Sequence, residues 1–213
     1  MQTSDLIERL AADLQPLAPR AALSRLAVGL CVGGLITLAL VWLTLGPRSD
    51  FSEAVLTVAF WRKSAYVMAV TIAGFWICLQ LARPEGAPRV RLLVGCVPLL
   101  VLGSAALIEL RATQPGERVE LWLGGSALRC PWMIAAFAIP VFAGVLWAFR
   151  RFAPTRPRLA GFGAGWLAGA VSAVMYSIHC NESAASFVVS WYTAGMLVPA
   201  LIGMLVGPRV LRW

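Results

Sequence analysis

The sequence predicts an all-α fold: a polytopic membrane helical bundle with six transmembrane helices. Of the 213 residues, 60% are hydrophobic and only 13% are charged, and the mean hydropathy is +0.78, which is too apolar for a soluble domain. Six stretches carry no charge, and each has the roughly 17–23 residues that a helix needs to cross a hydrocarbon core. Lipid leaves open sheet edges unsatisfied, so helices are favoured. The predicted spans are 26–45, 64–81, 92–108, 131–149, 159–178 and 184–206.

The basic residues predict how the bundle is oriented. If the spans alternate, twelve of the 18 Lys and Arg residues fall on one side and six on the other. Basic residues in short segments near membrane ends favour the cytoplasmic side, so both termini are predicted to be cytoplasmic. The formal net charge of +8 then follows from topology and contact with anionic lipid, and no nucleic-acid partner is needed to explain it. The twelve are Arg9, Arg20, Arg25, Arg83, Arg89, Arg91, Arg150, Arg151, Arg156, Arg158, Arg209 and Arg212.

The chain is predicted to divide into a cytoplasmic leader, residues 1–22, and a transmembrane domain, residues 23–213. Apolar residues in the leader recur at helical spacing, and Pro16 and Pro19 end the pattern before the first span. An interfacial helix is one interpretation. Its polar face is acidic, however, which disfavours anionic lipid and favours docking to a cytoplasmic protein. The predicted partner-binding residues are Leu6, Ile7, Leu10, Asp13 and Leu14.

The predicted loops follow from the span boundaries. Residues 46–63 and 109–130 would be external, and residues 82–91 and 150–158 cytoplasmic. Val119, Leu121 and Leu123 alternate in the second external loop, which allows a short strand or an interfacial turn. Small-xxx-small glycine spacing in spans one, five and six permits close helix contacts, and packing inside the bundle is favoured over dimerisation. The glycines are Gly29, Gly33, Gly161, Gly165, Gly169, Gly203 and Gly207.

The sequence offers no signature of catalysis. The six predicted spans contain no Asp, Glu, Lys, Arg or His, which disfavours ion-coupled transport. There is no HExxH, GxSxG, Walker loop or CxxC, and a single histidine cannot supply a multi-histidine zinc site. The chain is therefore predicted not to be an enzyme and to carry no resident cofactor.

Two of the five cysteines stand apart. Cys31, Cys78 and Cys96 lie within spans as small apolar residues, whereas Cys130 and Cys180 mark the external ends of spans four and five.

If those spans are neighbours, the two thiols could form a disulfide in an oxidising compartment. His179 beside Cys180, like Arg129 beside Cys130, could favour a reactive thiolate. With Glu182, these groups could also bind a soft metal ion, the candidate ligands being Cys130, Cys180 and His179. Redox or metal sensing, a static disulfide and coincidence all remain open.

Six short motifs form a set that extends over nearly the whole chain. They are Leu6-Ile7 with Leu10-Ala11-Ala12-Asp13, Phe60-Trp61-Arg62-Lys63, Arg150-Arg151-Phe152-Ala153-Pro154, Tyr176-Ser177-Ile178-His179-Cys180-Asn181-Glu182, Phe187 with Trp191-Tyr192, and Gly207-Pro208-Arg209-Val210-Leu211-Arg212-Trp213. The set resembles the NrsF family of six-span bacterial inner-membrane proteins, which are anti-sigma factors for extracytoplasmic-function sigma factors. One departure is Asn181, where many members are expected to have proline.

The resemblance implies that the leader holds a sigma factor at the membrane and that Cys130 and Cys180 take part in sensing an envelope signal. Both cysteines are then expected in the periplasm. The main alternative is a structural or assembly subunit of a membrane complex with a static external disulfide. A thiol oxidoreductase is weaker, because a shuttling enzyme would be expected to carry a closely spaced dithiol.

Overall fold

The computed structural model describes residues 19–82, 89–152 and 154–211, and within these ranges it contains helices and no strand. A π-helical turn at Val188–Tyr192 joins the last two helices. The predicted leader residues Leu6, Ile7, Leu10, Asp13 and Leu14 lie outside the described residues. The helices are α1 (Pro19–Thr44), α2 (Phe51–Ala54), α3 (Val58–Leu81), α4 (Arg89–Ala112), α5 (Arg118–Leu123), α6 (Cys130–Phe137), α7 (Ile139–Phe149), α8 (Pro157–Tyr176), α9 (Ala185–Phe187) and α10 (Thr193–Val210).

Five helical segments in the described residues are long and apolar enough to cross a membrane. A sixth is obtained if α6 and α7, which meet at a bend of 42°, together make one span. The predicted helical bundle is thus confirmed. The five segments are Ala21–Thr44, Val58–Leu81, Gly95–Ala112, Pro157–Tyr176 and Ala185–Val210.

Helix ends differ most from the sequence prediction. The second span begins at Val58, where the Thr57 side chain caps the helix by accepting a hydrogen bond from the Phe60 N–H (3.3 Å), so a loop extending to residue 63 is wrong. Arg62 and Lys63 therefore lie in α3, and Glu109 lies in α4. These two helices therefore carry ionisable residues at their ends, beyond the predicted spans 64–81 and 92–108.

The second external connection contains a helix where alternation suggested a strand. Val119, Leu121 and Leu123 belong to α5, whose preceding turn is closed by a bond from the Glu117 N–H to the Gln114 carbonyl (3.0 Å). A strand is therefore excluded here. A six-residue helix needs no neighbouring strand to satisfy its backbone, and this connection offers none.

Pro140 explains the bend between α6 and α7. It has no N–H to donate to the carbonyl four residues earlier, and its ring crowds that carbonyl. Two hydroxyls from neighbouring helices bind the bent segment: Thr37 donates to the Phe137 carbonyl (2.9 Å) and Ser172 to the Ile134 carbonyl (2.8 Å). The bend is therefore fixed to α1 on one side and to α8 on the other.

Replacing Thr37 by valine should lower the free energy of unfolding by about 1 kcal/mol, because it removes an interhelical hydrogen bond in an apolar environment. Thr44→Val is the matched control, since the Thr44 hydroxyl bonds only the Leu40 carbonyl of its own helix, at an exposed position. Unfolding of the purified protein in mixed detergent micelles measures both. Equal losses in the two variants would contradict a special role for the bend.

The glycine spacing serves packing inside the bundle, as predicted. A Cβ added at Gly161 or Gly165 of α8 would lie less than 3.0 Å from the backbone of α10, at Gly203 and Pro199 respectively. Gly29 of α1 meets Gly144 of α7 in the same way. These contacts are backbone against backbone, so neither side can yield by changing a rotamer.

The connections meet at two opposite ends of the bundle. At one end, backbone and side-chain bonds join the segments 46–50, 122–126 and 178–186. At the other, Ala82, Phe152 and Leu211 belong to one buried apolar cluster. We call the first the thiol end, because it contains Cys130 and Cys180.

Candidate functional site

The structure brings Cys130 and Cys180 together at the thiol end. Cys130 is the first residue of α6, and Cys180 lies in the loop between α8 and α9. Both are free thiols and both are buried, with exposures of 0% and 3%. The Cys130 thiol is close enough to act as a hydrogen-bond donor to the Cys180 sulfur. The sulfur at the start of α6 and the sulfur in the α8–α9 loop are therefore neighbours.

An apolar, aromatic wall surrounds the two sulfurs. Tyr176 from the end of α8 and Tyr192 from the π-helical turn belong to the same buried cluster as the two cysteines, and the two rings lie 6.1 Å apart between centroids. The Tyr192 hydroxyl is buried and has no hydrogen-bond partner of good geometry among the residues that the structure describes. It faces the Cys180 sulfur closely enough to favour the thiolate.

Lys63 supplies a positive charge beside this pair. Its side chain is 1% exposed, and its Nζ donates to the carbonyls of Cys180 (2.7 Å) and Glu182 (3.0 Å). The ammonium also lies 5.9 Å from the Tyr192 ring centroid. Lys63 thus joins α3 to the loop that contains Cys180.

Arg62, the residue before Lys63, binds the same loop at Ser183. Arg62 Nη2 donates to the Ser183 carbonyl (3.0 Å) and pairs with Glu109 Oε1 of α4 (3.1 Å). Glu109 Oε2 in turn accepts the Ser186 N–H at the start of α9 (3.1 Å). Two successive cations of α3 therefore fix both halves of the loop that joins α8 to α9.

The pKa of the Cys180 thiol is lowered from its ordinary value. The main cause is hydrogen bonding from the Cys130 thiol to the charged form; burial opposes it, and the Tyr192 hydroxyl and the Lys63 ammonium lower the pKa further. A thiolate is the nucleophilic and metal-binding form of cysteine, and this environment favours that form at Cys180.

His179 contacts the backbone of another connection. Its Nδ1 lies 3.1 Å from the Gly46 carbonyl, and the Arg48 N–H donates to the Ile178 carbonyl nearby (3.2 Å). His179 therefore attaches the loop to the α1–α2 connection. Among the charges that lower the pKa of Cys180 is Lys63, which the sequence prediction had placed in an external loop.

Glu182 supports the loop from its other side. Its Oε1 accepts the Gly125 N–H (2.7 Å) and lies 3.5 Å from the Ser126 hydroxyl. Gly124 has a positive φ of 52°, and a Cβ there would lie 2.6 Å from Glu182 Oε2. Only glycine suits this turn, which brings the α5–α6 connection against the cysteine loop.

The candidate metal ligands do not gather into one set. Within the described ranges, no three His, Cys, Asp or Glu side chains lie close enough to hold an ion. The His179 ring is taken up by the Gly46 carbonyl, and the Glu182 carboxylate by backbone and hydroxyl donors. What the geometry offers is a pair of thiols with a buried cation.

An open cavity of about 380 Å³ lies over this pair. Cys180 and the partly buried Arg48 line it, and the Arg48 guanidinium is paired with Asp50 (2.6 Å). Cys130 does not line this cavity. The residues that line the cavity are Pro47, Arg48, Ser49, Ser126, Tyr176, His179, Cys180, Asn181 and Glu182.

Two tryptophans close the side of the thiol end. Trp191 Nε1 donates to the Trp122 carbonyl, and Trp122 Nε1 donates to the Ser190 hydroxyl, each at 2.9 Å. Their rings lie 5.3 Å apart between centroids. Together they tie α5 to the π-helical turn that contains Tyr192.

Lys63 is the residue that reasoning from the sequence missed. A signal for it was present: Lys63, Tyr66, Val67 and Val70 recur at the spacing of one helix face, and all four are buried. The positive charge of Lys63 instead favours a span that begins after it, at residue 64.

The sequence matches one family over residues 10–213, and that family is described as "Negative regulator of sigma F" (NrsF). Two curated relatives align over the full length of both chains. The "Probable anti-sigma-F factor NrsF" of Azospira oryzae is 40% identical, and the "Anti-sigma-F factor NrsF" of Caulobacter vibrioides is 38% identical. No solved structure matches. With its family match covering nearly the whole sequence and two full-length relatives, the chain belongs to the NrsF family of negative regulators of sigma F.

Proposed function

We propose that this protein is an inner-membrane anti-sigma factor that holds an extracytoplasmic-function sigma factor through residues 1–22 and responds to an envelope signal through Cys130 and Cys180. Family membership supports the sigma partner, and the five to six apolar helices support the membrane location. The observation that carries the sensing part is the contact between the two thiols beside a buried cation.

The charge distribution supports the orientation. The cluster that contains Ala82, Phe152 and Leu211 lies at the end where the arginine-rich segments leave the spans, which is typical of a cytoplasmic face. The thiol end is then periplasmic. In that compartment disulfides form and persist.

A continuous chain of contacts connects the thiols with α1. Cys130 begins α6; the bend after α6 is bound by Thr37 of α1, and Gly29 of α1 packs on Gly144 of α7. The leader leads directly into α1, which begins at Pro19. A change at the sulfurs that moves α6 can therefore reach the segment proposed to bind the sigma factor, through packed elements rather than through solvent.

The test measures binding of purified sigma F to the intact protein in nanodiscs, with the thiols reduced and then oxidised. Oxidation should change the affinity about 5-fold or more, the usual range of an allosteric coupling. The variant Cys130→Ser with Cys180→Ser should bind sigma F but lose this response.

Two outcomes would overturn the proposal. Absence of sigma F binding by the reduced intact protein would remove the anti-sigma role. An unchanged affinity on oxidation, with the serine variant only less stable, would favour a structural protein with a static disulfide.

A further inference from the structure

The two thiols differ in how an outside molecule can reach them. Cys180 lies in a loop and lines the open cavity of about 380 Å³, although only 3% of its surface is exposed. Cys130 is fully buried at the start of α6 and does not line this cavity. A small molecule that enters the cavity therefore reaches Cys180 before Cys130.

Lys63 is a buried cation without a carboxylate partner in the described part of the chain. The two ion pairs found there are Arg48 with Asp50 and Arg62 with Glu109. The Lys63 ammonium donates to two carbonyls instead, and the carboxylate of Glu182 points to the Gly125 N–H.

A buried charge is costly unless it is paired. Of the groups whose negative charge interacts with the ammonium, Cys180 has the largest effect, ahead of Cys130 and Glu182. A Cys180 thiolate would thus provide a negative charge beside the Lys63 ammonium.

We infer that Cys180 is the thiol that reacts first, that Lys63 is the positioning residue that stabilises its thiolate, and that Cys130 is the resolving thiol. The inference gives the chemistry of the sensing step in the proposed function. It rests on that function only for its role in signalling, because the reactivity of the thiols exists without a sigma factor.

The reagent class that fits is a small sulfur electrophile, a disulfide or a thiosulfonate. The Cys180 thiolate attacks one sulfur of the reagent, a new S–S bond forms, and the other sulfur leaves with the electron pair of the broken bond. Cys130 then attacks the Cys180 sulfur, and the reagent's remaining thiol leaves with the Cys130 proton. Two thiols are oxidised to one disulfide, and the reagent takes up the two electrons.

The titratable and charged groups that act on Cys180 come from every element packed around it. Cys130, Tyr192 and Lys63 favour its thiolate, and its charge also interacts with Arg48 and Tyr176. His179 and Glu182 flank it in the loop.

The first experiment treats the purified intact protein in nanodiscs, without sigma factor, with methyl methanethiosulfonate and identifies the labelled peptide by mass spectrometry. The Cys130→Ala variant should accumulate the mixed disulfide at Cys180. The Cys180→Ala variant should react at Cys130 about tenfold more slowly or not at all, because the remaining thiol is fully buried and does not line the cavity. The unmodified protein should proceed to the internal disulfide.

The second experiment separates charge from packing. Lys63→Met should slow labelling of Cys180 about tenfold near neutral pH and shift the midpoint of the pH–rate profile upward, because the thiolate loses its cation. Arg62→Met is the matched control: it removes a bond to the same loop, at Ser183, but not the charge beside the sulfur.

If Lys63 only clamps the loop, its removal should expose Cys180 and accelerate labelling, and this would overturn the inference. Equal profiles for the Lys63 and Arg62 variants, or labelling of Cys130 before Cys180, would overturn it as well. Failure of sigma F binding would leave these rates unaffected, so the two proposals fail separately.

Discussion

Leu10→Asp should weaken binding of sigma F to the intact protein about 100-fold. Leu6, Leu10 and Leu14 recur every four residues and form the apolar stripe of the predicted leader helix. Burying one leucine contributes roughly 1.5–3 kcal/mol, and a tenfold change in affinity corresponds to about 1.4 kcal/mol. An aspartate there would lose this contribution and would add a charge to be desolvated.

Ala12→Asp is the matched control for this prediction. It introduces the same charge two residues further on, about 200° around a helix and thus on the opposite face. Its affinity for sigma F should stay within a few-fold of the unmodified protein. Binding of labelled sigma F to protein in nanodiscs measures both variants, and equal weakening would show that the leader does not bind as an amphipathic helix.

Gly165→Ala should be the most destabilising single-methyl change in the bundle, with a loss of about 3 kcal/mol in unfolding free energy. Its Cβ would lie within 3.0 Å of backbone atoms of Pro199 and Ala200 in α10. Backbone atoms cannot move aside as a side chain does, so α8 and α10 must separate and lose contacts along their length. An unfolding titration of the purified protein with a denaturing detergent measures the loss.

Gly34→Ala provides the comparison at a position where an added Cβ meets nothing within 4 Å. Alanine is the better helix former, so this variant should be unchanged or slightly more stable. If both glycine variants lose the same stability, the effect belongs to glycine in membrane helices in general and not to the close contact of α8 with α10.

The architecture could be predicted because each membrane span is encoded by one continuous run of apolar residues. A run such as 159–178 needs only its own apolar length to be recognised as a helix that crosses the bilayer, and glycines four apart indicate packing wherever they lie. Both features are local. Their structural outcome, α8 packed on α10 through Gly161 and Gly165, therefore agrees with the prediction.

The span ends and the details of the thiol end could not be predicted in this way. Lys63 can lie buried within a helix because the Cys180 and Glu182 carbonyls, more than a hundred residues away, accept hydrogen bonds from its ammonium. The place of His179 depends in the same way on the Gly46 carbonyl. Such partners come from the tertiary fold, and a window of neighbouring residues does not contain them.

Because of the bend at Pro140, Cys130 lies in a short helix, whereas Cys180 lies next to a long one. Cys180 lies in the loop after α8, whose backbone packs directly against that of α10 at Gly161 and Gly165. Cys130 starts a half-span of eight residues that ends at the bend. A disulfide between the two sulfurs would join the short helix α6 covalently to the loop that follows α8, so a shift of one segment would be transmitted to the other.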